Sequence, residues 1–177
     1  MRLTFLLGAA LGVCLVAVAA AAQQGTSAPH NPLDVIPDRM PFNIPYGTPI
    51  SAASARQVIA AAEAEATKRG WPMNIAVVDS GGNLVAFERM DGAQLASIAI
   101  ARHKARTAAL FRRETKVFET GVQNGLAYVV TLDGVIASRG GIPLVAGGKL
   151  VGAIGCSGGA GAQDEVIAKA GAAAFNR

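Results

Sequence analysis

Hydrophobic positions change period several times along this chain, and each change predicts an element. Ala52, Ala55, Val58, Ile59, Ala62 and Ala66 recur at helical spacing, with Ser51 or Thr48 placed to cap the start and Gly70 and Pro72 to stop it. Two β-rich runs follow, residues 73–79 and 83–89, separated by Ser80-Gly81-Gly82. Tight hairpin turns need positive φ, which glycine adopts without steric penalty, so this segment predicts a β-hairpin. Residues 94–113 predict a second long helix, whose Ala99, Ala101, Ala105, Ala108 and Ala109 permit close packing, and residues 115–120 a short helical segment. Residues 127–132 read as a strand, with Asp133-Gly134 as a turn. A clearer hairpin signal is 142–146, Gly147-Gly148 and 149–156. After the loop Ser157-Gly158-Gly159-Ala160-Gly161, a last helix runs from Gln163 through Val166, Ile167, Ala170 and Ala174. Hairpins imply an antiparallel sheet, and helices before, between and after them imply an α+β fold with helices flanking that sheet.

The N-terminus follows different rules. After Met1-Arg2, residues 3–22 are apolar apart from Thr4 and two glycines, and Ala20-Ala21-Ala22 precede Gln23-Gln24. This is the layout of a cleavable secretory signal over residues 1–22, which predicts a periplasmic or secreted bacterial protein with no stable membrane anchor after cleavage. An uncut segment of this length would span a bilayer, but the Ala-rich second half favours removal. Cys14 lies inside the apolar run, preceded by Val13 and followed by no polar linker, which argues against a lipoprotein signal. Residues 23–49 form a Pro-rich extended arm, not expected in a sheet because proline lacks an amide donor. Its Leu33, Val35, Ile36, Met40, Phe42, Ile44 and Tyr46 predict packing against the domain or a neighbouring subunit. The remaining residues, 50–177, suffice for one domain.

The formal charge of +4 includes Arg2, so the exported chain is only mildly basic, and no nucleic-acid partner is expected. The basic residues cluster nonetheless: Arg102, Lys104, Arg106, Arg112, Arg113 and Lys116 face one acid, Glu114, in one stretch. This is either an anion-attracting face or a solvated helix. Beyond the signal only Cys156 remains, so no intramolecular disulfide forms, and a buried structural role suits it.

Several chemistries are excluded by missing motifs: there is no C-x-x-C-H, no H-E-x-x-H and no G-x-S-x-G. The Gly158-Gly159 loop before a helix start is a weak anion cradle, and Asp164 and Glu165 suit the first turn of that helix through its dipole. His30 lies in the arm and reads as a surface residue. His103, mid-helix beside Lys104, is either a structural histidine or an iron ligand. Asp79, Arg89, Asp91 and Arg139 sit at strand ends or turns, as cleft residues or as turn formers and surface ion pairs.

One set of ordered motifs is more specific. Ala76-Val77-Val78-Asp79-Ser80-Gly81-Gly82-Asn83-Leu84-Val85-Ala86-Phe87, then Arg89-Met90-Asp91-Gly92, Lys104-Ala105-Arg106-Thr107-Ala108, Arg139-Gly140-Gly141-Ile142-Pro143, Gly152-Ala153-Ile154-Gly155-Cys156-Ser157-Gly158 and Gln163-Asp164-Glu165 resemble the GlcG/HbpS-like family across residues 50–174. The resemblance implies a profilin-like antiparallel β-sheet flanked by α-helices, assembly into a homo-oligomer, and non-covalent haem binding, with storage, transfer, sensing and degradation all left open. The family's recurrent polar positions fall on Asp79, Arg89, Asp91, Lys104, Thr107, Arg139 and Asp164. His103 before Lys104 and Cys156 before Ser157 depart from the family pattern, which makes His103 the candidate haem-iron ligand. Lys104, Arg106 or Arg139 would then pair with the propionates. Two alternatives stand beside this. In one, an enzyme or accessory protein acts on a small organic anion such as a hydroxy acid, with Arg89, Arg139, Gly158 and Gly159 holding a carboxylate and Asp164 or Asp79 as base. In the other, the chain is a structural or sensory homo-oligomer.

Overall fold

The computed structural model describes residues 36–40 and 42–175. The signal segment, His30 and most of the arm therefore lie outside the described residues. Packing divides the chain between Asp38 and Arg39, and the unit from Arg39 onward contains every regular element described.

Helix α1 (Ala52–Arg69) starts where Ser51 accepts a hydrogen bond from the Ser54 amide. It ends where Gly70, at φ 65°, returns its amide to the Ala66 and Thr67 carbonyls. The chain then enters β1 (Asn74–Asp79) and β2 (Leu84–Arg89), crosses to α2 (Ser97–Leu110) and α3 (Lys116–Gln123), and completes β3 (Gly141–Ala146), β4 (Lys149–Ser157) and α4 (Gly161–Phe175). The strands form one antiparallel sheet in the order β2-β1-β4-β3. Central β1 is buried on both faces because alternate residues serve different layers. Ile75 and Val77 join the core beneath α1 and α4, whereas Ala76 and Val78 face α2.

The alanine-rich stripe of α2 acquires its reason here. A Cβ on Gly155 would strike the Ala101 carbonyl and the Ala105 amide, and one on Gly141 the Lys104 carbonyl, so α2 lies almost directly on the sheet backbone. Cys156 faces the opposite core, fully buried, and burial pushes its thiol well above the ordinary range, as expected of a structural cysteine.

Two expectations need correction. Residues 127–132 are not a strand: Ala127–Thr131 form a 3-10 helix packed on α3, with Tyr128 and Val130 exposed and no neighbouring strand to pair with. The arm, in turn, does join the sheet at one rung. β1 accompanies β4 only as far as Gly152, and beyond it Leu150 donates to the Pro45 carbonyl at 2.8 Å and accepts from the Gly47 amide at 2.7 Å. The Tyr46 hydroxyl donates to the Leu110 carbonyl at 2.7 Å, and the Arg113 guanidinium lies 3.3 Å from the centre of the Phe42 ring. Proline is tolerated there because its neighbours supply the amides.

Candidate functional site

The β1–β2 hairpin turn and α2 enclose a cleft of about 410 Å³ lined by Val78, Gly82, Asn83, Leu84, Ala99, Arg102, His103 and Arg106. The four helical residues are spaced i, i+3, i+4, i+7 and therefore share one face of α2. Asp79 orders the turn that forms the opposite wall. Its carboxylate accepts from the Gly81 and Asn83 amides at 2.8 and 2.9 Å and from the Asn83 side chain at 3.1 Å. Burial raises its pKa, but these hydrogen bonds and one from the Gly82 amide outweigh that and hold it below the usual carboxylate range. Gly82, at φ 78°, lets the Arg106 stem lie against the turn, where Arg106 Nη1 donates to the Gly82 carbonyl at 3.3 Å. No carboxylate lines the cleft, so two guanidiniums and a half-buried imidazole meet an apolar wall of Val78, Leu84 and Ala99. This arrangement suits a flat apolar ligand bearing anionic groups.

On the other side of α2 the polar residues are already engaged. Lys104 is 1% exposed, and its Nζ lies 2.6 Å from Asp164 Oδ2. Asp164 Oδ1 accepts from the Gly158 and Gly159 amides at 3.0 and 3.1 Å. The anion cradle read from sequence is thus filled by the chain's own carboxylate. Arg139 donates from its backbone amide and from Nε to Glu119, both at 2.7 Å, and reaches Glu165 at 3.5 Å. The hydrogen bond from Arg139 depresses the Glu119 carboxyl, while Glu119 in turn raises the guanidinium. Glu165 also meets Lys169 at 2.6 Å and Lys116 at 3.4 Å. Thr107 is fully buried, donating to the Gly134 carbonyl at 2.8 Å and accepting from the Ile136 amide at 3.2 Å, which ties the 134–136 loop to α2.

The residues singled out from sequence therefore divide. His103 and Arg106 share the cleft, with Asp79 shaping its turn. Lys104, Asp164, Gly158 and Gly159 form a closed buried knot, with Arg139 in the adjoining ion network. Arg89 and Asp91 stand exposed at the far end of β2. Sequence reasoning did not assign Arg102 or Glu119 a site. Arg102 was legible one turn from Arg106 on the same face, whereas nothing local marks Glu119 as the partner of a residue twenty positions away. Among the described residues, no group of three or more His, Cys, Asp or Glu could hold a metal ion, so His103 would act as a single protein ligand.

Comparison with known proteins returns related molecules. The family model described as "Haem degrading protein HbpS-like" matches residues 50–173. Protein GlcG of Escherichia coli K12 is 47% identical over 108 residues, which is 61% of this chain and 81% of that protein. A double mutant of HbpS from Streptomyces reticuli superposes with a TM-score of 0.69 at 30% identity, over 81% of this chain and 99% of that one. A crystal structure of a PduOC complex with haem matches with a TM-score of 0.66 at 31% identity, over 73% of this chain and 96% of that one.

Proposed function

The chain belongs to the GlcG/HbpS-like family, and from that premise we propose that it is an exported protein binding haem non-covalently in the cleft between the first hairpin and α2. The observation that carries this reading is the single helix face on which a half-buried His103 stands with Arg102 and Arg106 opposite an apolar wall. The donor set fits the group. His103 supplies an imidazole nitrogen for the iron, the two arginines suit the propionates, and Val78, Leu84 and Ala99 suit the porphyrin face. Haem would supply redox-active iron, while the protein would hold and orient it, with His103 offering an imidazole nitrogen to the iron. Lys104 and Arg139, considered for the propionates from sequence, are engaged by Asp164 and by Glu119 with Glu165, so Arg102 and Arg106 take that role.

Titrating the purified protein with haemin is expected to give a saturable, stoichiometric Soret change that His103→Ala weakens. Unsaturable binding would overturn the reading. A small organic anion is the second reading, favoured by the absence of any carboxylate in a cleft with two arginines. A thermal-shift panel separates the two, because a ligand that binds only the native state raises its midpoint. Export rests on residues 1–22, and N-terminal sequencing of protein from the periplasmic fraction should begin at Gln23.

A further inference from the structure

The C-terminal end of α2 carries an arginine where a glycine is usual. The Arg112 amide donates to the Ala109 carbonyl at 3.3 Å and the Arg113 amide to the Ala108 carbonyl at 3.2 Å, the paired bonds of a Schellman turn. Such a turn needs a positive φ, which a side chain disfavours. Arg112 adopts φ 54°, and among the described residues it is the one non-glycine residue with positive φ. Its side chain supplies the reason. The Arg112 guanidinium donates to the Ile44 carbonyl at 3.1 Å and lies 5.4 Å from the centre of the Tyr46 ring. The Tyr46 hydroxyl donates to the carbonyl of Leu110, the last residue of α2, whose carbonyl has no further helical turn to bond with. The end of this helix is shaped to receive the arm.

The next arm residue holds a second element. The Gly47 carbonyl accepts from the Ser80 hydroxyl at 3.2 Å, and Ser80 begins the turn between β1 and β2. Both arm residues are fixed to β4, since Leu150 bonds to Pro45 and Gly47, and a Cβ on Gly47 would meet Lys149 Cβ at 2.9 Å. The hairpin turn and α2 are the two walls of the His103 cleft. They also touch just past it: a Cβ on Gly82 would lie 3.3 Å from Leu110 Cγ, and Leu110 is one turn beyond Arg106. Two successive arm residues thus tie both walls to one place on the sheet. Neither belongs to the region shared with the family, which starts at residue 50.

We propose that residues 44–47 are a strap that sets the width of the His103 cleft, with Tyr46 and Ser80 as positioning residues for the ligand held there. Naming that ligand as haem rests on the haem reading, whereas the strap itself does not. A flat ligand lying between two walls leaves when the walls part. Anchoring each wall to the arm slows that parting and leaves the open mouth of the cleft unaltered, so the strap governs release more than capture. Walls already held at the bound spacing also need no ordering when the ligand arrives. Because the strap acts on the walls and not on the iron, it acts equally on a porphyrin with or without metal.

Hydrogen exchange on the protein without ligand tests the strap. Tyr46→Phe keeps the ring beneath Arg112 and removes one hydroxyl, and Ser80→Ala removes the other. The first should speed amide exchange about fivefold over residues 107–113 and the second over residues 80–84, with β3 and α4 unchanged. Unchanged exchange in both variants would overturn the strap. Transfer of ligand to an excess of a scavenging apoprotein then reads release. Each variant should release haemin and metal-free protoporphyrin IX about fivefold faster, with association within about twofold of the wild type. Ser80→Thr retains the hydroxyl and should keep the wild-type rate, while His103→Ala should hasten the release of haemin alone. Faster exchange with unchanged release of both porphyrins would leave the arm a structural brace and remove Tyr46 and Ser80 as positioning residues. A wild type that binds neither porphyrin would remove the haem reading, and the strap would still be decided by exchange.

Discussion

His103 and Lys104 are neighbours in sequence and opposites in fate. One step along a helix turns a side chain by about 100°, and on α2 that step separates a cleft from a core. His103 stands between Arg102 and Arg106 in a cleft with no carboxylate among its lining residues, whereas Lys104 is held by Asp164, which also accepts from the Gly158 and Gly159 amides. The cleft carries positive charge left uncompensated, and the knot carries charge wholly compensated. Uncompensated charge at an apolar wall is available to a ligand, whereas compensated buried charge fixes where α2, β4 and α4 meet.

The sharpest way to break this contrast is to disturb the knot. Lys104→Met leaves Asp164 buried without its cation, and removing one member of a buried pair costs about 3–5 kcal/mol. Denaturant unfolding should show that loss. If Lys104 instead served the ligand, stability would hold and haemin affinity would fall, which would erase the distinction. His103→Ala tests the opposite side. It should lower haemin affinity about tenfold, equivalent to about 1.4 kcal/mol, while costing far less stability than the loss of Lys104, because His103 lines a cleft and is only half-buried. A variant that lost stability but kept its affinity would make His103 structural.

The same contrast explains what could be read from the sequence. The hairpins were legible because Gly81-Gly82 and Gly147-Gly148 force tight turns between β-rich runs, a local constraint. Residues 127–132 misled because Tyr128, Val129 and Val130 have strand propensity, and only the absence of a neighbouring strand makes them a 3-10 helix. The family's polar positions could be read from the sequence as a group, but their division between cleft and knot could not. Whether Lys104 meets a ligand or Asp164 depends on a contact across sixty residues, set by how closely Gly141 and Gly155 let α2 approach the sheet. Local patterns report turns and faces, and they say nothing about which charges a distant helix start has already claimed.

The mildest test falls on the network beside the knot, where compensation is partial. Glu119 and Arg139 are each about one-fifth exposed, so solvent screens their attraction, and the pair contributes less than Lys104 with Asp164. The hydrogen bond from Arg139 holds the Glu119 carboxyl below its ordinary value of 4.5. A carboxyl depressed in the folded state adds stability above its unfolded pKa and loses it as pH falls through the folded one. The wild type should therefore lose part of its melting temperature as pH drops below about 4.5, where unfolded Glu119 begins to take up protons. Glu119→Gln keeps an acceptor for the Arg139 amide but has no proton to gain. It should melt about 2 °C lower at neutral pH, with a shallower decline on acidification, so the two curves converge at low pH. Parallel curves would mean that Glu119 contributes through packing alone, and that charge compensation in this fold is confined to the buried knot.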